Sequence, residues 1–193
     1  MPTGKLVKLG IWEDDQFIGA VLYGWGATSA LVKQYGLRQD EGCELVRIAM
    51  RNHQTPVTRI VSITLKKLKR LCPGLRLVVS FADPDQNHMG VIYQAGNWIY
   101  SGRSQASDEY IYRGRRWQGR SFRNSFKQME KHPDVKIVKG SSKHRYLMPL
   151  DSEMRTKILS YKRSYPKRAT SKDNVASIDQ IEEDGVNPIV ALQ

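Results

Sequence analysis

Residues 43–102, CELVRIAMRNHQTPVTRIVSITLKKLKRLCPGLRLVVSFADPDQNHMGVIYQAGNWIYSG, decide the fold. Cys43 to Met50 is a mostly apolar run interrupted by Glu44 and Arg47, and it predicts a strand. Thr55-Pro56 predicts a helix start, because a hydroxyl can cap the first turn and proline lacks an N–H that would have no partner there. Val57, Ile60, Val61, Leu65, Leu68 and Leu71 recur at steps of three and four, which puts one apolar stripe along about four turns. Pro73-Gly74 stops the helix. Leu75 to Phe81 (LRLVVSF) is almost continuously apolar, the pattern of a strand covered on both faces. Strand, crossover helix and strand in this order make a right-handed β-α-β unit with parallel strands. A loop, a short helix and another strand carry the chain to Gly102.

The polar residues of this stretch gather just past the ends of its two strands. Arg51, Asn52, His53 and Gln54 follow the first; Ser80, Asp83, Asp85, Asn87 and His88 end or follow the second. Open α/β sheets bind ligands beyond the carboxyl ends of their strands, so any chemistry belongs here. A metal reading would join His53, Asp83 and His88, since two histidines and a carboxylate suit non-haem iron. No close H-x-D or H-x-x-x-H spacing supports it. A Ser80–Asp83–His88 triad is weaker, because the G-x-S-x-G turn that exposes such a serine is missing.

The flanks supply antiparallel strands and charge. Residues 5–12 and 16–25 alternate around the acidic turn Glu13-Asp14-Asp15 and predict two antiparallel strands. Gly24, Gly26 and Ser29 read as a plain turn, and 30–41 as a short helix and loop. Beyond Gly102 come a strand over 108–113, a glycine-spaced arginine run over 113–123, and a short helix over 124–132. An edge strand at Val135 to Val138 follows, then a last strand over 145–150. Asp151 should cap a helix over about 152–161. The chain carries a formal net charge of +12 on 193 residues. One lysine against five carboxylates leaves 169–193 at −4, so 1–168 carry +16, of which +12 falls in 103–168. We read 1–168 as one domain whose 103–168 part binds nucleic acid, followed by an acidic, disordered tail from 169. Arg113, Arg115, Arg116, Arg120, Arg123, Lys143 and Arg145 are the candidate phosphate contacts, with Trp117 as a base-stacking ring. No apolar run reaches membrane-span length, and the first ten residues lack the apolar core of a secretion signal. Cys43 and Cys72 read as reduced cysteines of a cytosolic protein.

The motif Ser80-Phe81-Ala82-Asp83-Pro84, His88, Gly90, Ile92-Tyr93-Gln94-Ala95, Asn97-Trp98, Tyr100 and Gly102 resembles the Mom family of bacteriophage DNA-modification proteins. The CELVR strand, the TPV helix start and a closing Tyr165-Pro166-Lys167 belong to the same resemblance. It implies a GNAT-like α/β (α+β) fold: a mixed, mostly antiparallel sheet with a parallel β-α-β core and flanking helices. It also implies conversion of adenine in double-stranded DNA to N6-carbamoylmethyladenine, which protects phage DNA from restriction in the host bacterial cytoplasm, with the target base flipped out. GNAT proteins cradle the coenzyme A pyrophosphate on a glycine-rich loop at a helix start. Here that loop reads Arg51-Asn52-His53-Gln54-Thr55-Pro56, without glycine, which argues against acetyl-CoA. Arg51, Gln54 and Thr55, with the amides of Val57 and Thr58, remain the candidate donor contacts. The carbamoylmethyl product is a glycinamide joined through its methylene, which an activated glycyl donor explains, and glycyl-tRNA is such a donor. In that scheme Asp83 or His53 is the base and Ser80 or Tyr93 the proton donor. The alternatives are an iron-dependent modification enzyme and a non-catalytic basic DNA-binding protein. The last of these has no need of a buried carboxylate.

Overall fold

The structure, a computed structural model, describes residues 6–26 and 30–167. Ser29 and the acidic segment 169–193 lie outside the described residues. The chain opens with β1 (Leu6–Glu13) and β2 (Gln16–Gly24), paired antiparallel around Asp14 and Asp15, both at positive φ. Residues 30–41 form no α-helix but two 3₁₀ turns, Lys33–Tyr35 and Gln39–Glu41. Gly36, in the left-handed region at φ 68°, ends the first after a single turn.

The central unit follows as β3 (Gly42–Met50), α1 (Val57–Leu71) and β4 (Leu77–Ala82). β3 and β4 are parallel, as the β-α-β reading requires. Then come α2 (Val91–Ala95), β5 (Ile99–Arg103), β6 (Asp108–Tyr112), β7 (Arg115–Gln118), α3 (Gly119–Phe126), β8 (Lys136–Lys139), β9 (His144–Pro149) and α4 (Ser152–Ile158). Six strands make the main sheet in the order β1-β2-β3-β4-β9-β5, with every pairing antiparallel except β3–β4. This is the mixed, mostly antiparallel GNAT-like arrangement that the sequence predicts.

β4 sits in the middle and is buried on both faces. Val78 and Ser80 point to the side covered by α1 and α2, where Tyr23, Leu45, Ile60, Val61, Leu68 and Tyr146 pack. Leu77 and Val79 point to the other side, against Tyr35, Leu147 and the α4 residues Met154 and Ile158. Asp151 caps α4, its Oδ1 accepting the Met154 amide at 2.7 Å, and its carboxylate also holds the Arg76 guanidinium at 3.0 Å. Past α4 the chain returns along β5. The Arg163 amide donates to Tyr100 O at 2.8 Å, and Tyr165 Oη donates to Trp98 O at 2.7 Å. Both cysteines are free thiols, and among the described residues no helix is long and apolar enough to cross a membrane.

Residues 104–143 form an insert between β5 and β9 with its own three-stranded sheet, β7-β6-β8, and α3 packed on it. Tyr110, Tyr112 and Phe122 are its core, with the Tyr110 and Phe122 rings stacked at 4.4 Å. The arginine run is therefore half strand and half helix. α3 starts at Gly119, five residues before the predicted helix, because Phe122 and Phe126 lie one turn apart and anchor it to the sheet.

Candidate active site

The site is built where β3 and β4 part. Their ladder holds only at Gly42–Leu77, Cys43–Val78 and Glu44–Val79. Beyond it β3 continues with β2 and β4 continues with β9, so a wedge opens between the two parallel strands. Ser80 stands in the wedge with no exposed surface. Its Oγ donates to Leu45 O at 3.0 Å and lies 2.7 Å from Tyr93 Oη. A hydroxyl has one hydrogen, so while Ser80 donates to the Leu45 carbonyl it accepts from Tyr93. The side chain thus replaces the missing ladder bond and fixes the tyrosine. Burial, opposed by the Ser80 hydrogen bond, raises the Tyr93 pKa, and Tyr93 is a protonated donor at neutral pH.

Tyr93 also lines a cleft of about 310 Å³ with Ala82, His88, Met89, Gly90 and Ile92. The motif around it has structural reasons. Gly90 starts α2 at φ 71°, and a Cβ there would meet the Tyr146 ring at 2.3 Å. The Met89 carbonyl accepts from Tyr146 Oη and from Gln94 Nε2 at 2.5 and 2.9 Å.

The other two predicted catalytic residues stand apart from this pair. Asp83 caps a 3₁₀ turn over Pro84–Gln86: its Oδ1 accepts the Asp85 amide at 3.1 Å and Ser141 Oγ at 3.3 Å. Its Oδ2 pairs with Lys143 at 3.0 Å. Partial burial pushes its pKa up, but Lys143 and these donors outweigh that and hold it below the usual carboxylate range. A carboxylate so held is a poor proton acceptor and a good clamp on the 141–143 turn. His53 has Nδ1 2.9 Å from Thr55 O. A carbonyl only accepts, so Nδ1 carries the hydrogen. Among the described residues no three His, Cys, Asp or Glu side chains come together as metal ligands, so His53, Asp83 and His88 do not assemble the alternative iron site.

The loop over 51–56 holds an anion, but one of the chain's own. Glu13 Oε2 accepts the Gln54 amide at 2.8 Å, and Oε1 accepts the Thr55 amide at 2.8 Å and Thr55 Oγ1. The Thr55 hydroxyl first, then the two amides, lower the Glu13 pKa. Thr55 is therefore not the helix cap. Pro56 occupies that position, and the threonine hydroxyl serves Glu13 instead. As they stand, these residues do not fit a coenzyme A pyrophosphate: glycine is absent and a carboxylate already takes two amides. The Val57 and Thr58 amides have no acceptor among the described residues.

The basic candidates divide in two. Arg113 and Gly114, at φ 50° and 72°, form the two-residue turn between β6 and β7. Arg113, Arg115 and Arg120 are exposed and make no ion pair among the described residues. Arg115 lies over the Trp117 ring at 4.5 Å and covers the face that a base would stack on. Arg116 pairs with Glu109, Arg123 bonds Tyr110 Oη at 3.1 Å, and Lys143 holds Asp83. Arg145 reaches Gln34 at 2.7 Å and Tyr35 at 3.3 Å. These four already have partners within the fold.

Sequence reasoning missed His144. It is 4% exposed, its Nδ1 lies 2.9 Å from Tyr100 Oη, and its Nε2 is buried without a partner among the described residues. Burial first, then Arg103, lowers its pKa and keeps the imidazole neutral. The rings of Tyr93, Tyr146, Tyr100 and His144 form a row at 5.2, 5.3 and 5.6 Å. The alternation His144, Tyr146, Met148 in β9 was the available signal.

A mixed sheet wedged open at its one described parallel pair, with a serine–tyrosine pair in the wedge and helices on both faces, defines a GNAT-like protein. The sequence model of the Mom protein family matches residues 1–167, and the chain belongs to that family. No curated protein matches it. Among solved structures, a protein assigned to the GNAT acetyltransferases of Desulfovibrio desulfuricans is 15% identical. It matches over 76% of this chain and 70% of its own, with a TM-score of 0.36. FeeM, an N-acyl amino acid synthase from uncultured soil microbes, is 11% identical over 79% of this chain and 76% of its own, with a TM-score of 0.38. These likenesses are slight, and the fold assignment stands on the sheet topology.

Proposed function

We propose that the protein modifies adenine in double-stranded DNA to N6-carbamoylmethyladenine, in the cytoplasm of an infected bacterium, by glycyl transfer from an activated donor such as glycyl-tRNA. The supporting observation is the buried Ser80–Tyr93 pair in the strand wedge, whose tyrosine also lines one small cleft. The flipped adenine enters that cleft. Its N6 attacks the donor's ester carbonyl, forming the N6–C bond, and the N6 proton passes to water. The C–O bond breaks, and the leaving oxygen receives the Tyr93 proton while Ser80 turns its hydrogen from the Leu45 carbonyl to the phenolate. Before that step Ser80 positions Tyr93 through their shared hydrogen bond. The new glycyl amine then attacks adenine C6 through a five-membered ring and the C6–N6 bond breaks. The glycine nitrogen is left on C6 and the old N6 becomes the terminal amide. No electron donor or acceptor is required.

The experiment is nucleoside mass spectrometry of DNA incubated with the protein and tRNA charged with isotope-labelled glycine. Label in the modified adenine supports the reading. Modification that proceeds without label, from an acyl-CoA or with iron and a small molecule, refutes the donor. Unmodified DNA from cells expressing the intact protein refutes the activity.

A further inference from the structure

A groove of about 740 Å³ runs along α1, walled on the far side by the end of α2, the turn into β5, and the end of β9. Its floor is apolar, with Val61, Leu65, Met148 and Leu150. Its cationic side belongs to α1, and no carboxylate lines it. Arg59, Lys66 and Arg70 are seven and four residues apart; at 3.6 residues per turn they fall within about 20° of one line and span about 16 Å. All three are exposed, and none of their side chains makes an ion pair or hydrogen bond among the described residues. Lys69, in the same groove, differs, because its Nζ donates to Pro73 O and Leu75 O and ties down the end of α1.

Shape separates this surface from the arginine hairpin. The β6–β7 hairpin carries exposed arginines on a two-stranded ribbon, a form that a duplex groove admits. The α1 surface is concave, cationic along one rim and apolar beneath, which suits a single strand with its phosphates on the rim and its bases on the floor. The two are also apart: the insert joins β9 at His144, while the groove meets that strand from Met148 on, about 14 Å further along. At its other end the groove shares Ile92 with the cleft that holds Tyr93.

We infer that this groove holds the single-stranded 3′ end of the donor RNA, its phosphates on Arg59, Lys66 and Arg70, and delivers that end past Ile92 to Tyr93. The inference rests on the reading above that the donor is a charged RNA, and it gives donor and acceptor separate surfaces. The test is fluorescence anisotropy of the full chain with two probes, a short 5′-labelled single-stranded RNA and a DNA duplex. The variants are Arg59→Ala/Lys66→Ala/Arg70→Ala and, in parallel, Arg113→Ala/Arg115→Ala/Arg120→Ala. Three lost phosphate contacts should lower the log K against log salt slope for RNA by about 2, on the order of a hundredfold in affinity at about 0.1 M salt. Duplex binding by the groove variant should be unchanged, and the hairpin variant should show the reverse pattern. Unchanged RNA binding by the groove variant, or an equal loss on both probes, overturns the inference. Single-stranded DNA of the same sequence competing as well as RNA overturns the choice of RNA. These readouts involve no chemistry, so RNA held in the groove without glycyl transfer would sustain the groove and refute the activity.

Discussion

The hydroxyl pair in the wedge makes a prediction in which stability and activity move in opposite order. Tyr93→Phe removes a buried hydroxyl but leaves Ser80 donating to the Leu45 carbonyl, so the loss should be that of one ordinary hydrogen bond, about 0.5–1.5 kcal/mol. Ser80→Ala removes the donor to Leu45 and the partner of Tyr93 together, in a place with no exposed surface. Buried groups left without partners make that change worth about 1–3 kcal/mol. Activity should rank the other way. Without its phenol the site lacks its proton donor, a loss of about two to four orders of magnitude, whereas Ser80→Ala keeps the donor and only loosens it. Urea denaturation would measure the first ranking and nucleoside mass spectrometry the second. A fully active Tyr93→Phe variant would refute the role of the phenol. A Tyr93→Phe variant less stable than Ser80→Ala would show that the serine serves the tyrosine and not the Leu45 carbonyl.

Gly90→Ala should cost about 1–3 kcal/mol, because its Cβ would press on the Tyr146 ring at a backbone angle that favours glycine; a thermal midpoint equal to wild type would contradict this. Acid should destabilise the fold through Glu13, Asp83 and Asp151, whose pKa values are all lowered. A lowered folded pKa gives stability that is present above the ordinary value and lost as pH falls through the folded one. Urea midpoints should therefore hold down to about pH 5 and fall below the ordinary values of 4.5 for the glutamate and 3.8 for the aspartates, less steeply in Glu13→Gln. An unchanged acid limb in that variant would show that Glu13 contributes nothing. For the hairpin, Arg113→Ala/Arg115→Ala/Arg120→Ala should cut the duplex salt slope by about 3, while Arg116→Ala should alter it far less, because Glu109 already holds that arginine. Equal effects from every arginine would mark the run as a uniform charged face.

Much of the scaffold could be read from the residues because its signals are local. The apolar stripe from Val57 to Leu71 is a helix wherever it sits, and Asp151 caps α4 through an amide three residues away. The continuous apolar run before Phe81 could only be a doubly covered strand, and β4 is one. Partnerships across the fold were hidden. Glu13 reads as a turn residue, yet it caps a loop 41 and 42 residues further on. Asp83 reads as a catalytic carboxylate, and its engagement with Ser141 and Lys143 needs the insert to fold back first. The arginine run shows its charge in the sequence but not which members are neutralised, since Glu109 and Glu130 face it only once β6 and α3 are packed. The wedge itself leaves no mark, because a ladder that stops after three pairs is spelled with the same apolar residues as one that continues.

The last described residues close the side of the main sheet where β5 would otherwise stand bare. An unpaired outer strand offers a row of amides and carbonyls that another chain can adopt as its own ladder. Here Arg163 takes the Tyr100 carbonyl and Tyr165 takes the Trp98 carbonyl, so the segment acts as a seam. Pro166 follows with no N–H to extend a ladder. The closing Tyr-Pro-Lys thus covers an edge of the sheet. Cut the chain at 161, and the Trp98 and Tyr100 carbonyls lose these partners and stand open to another strand.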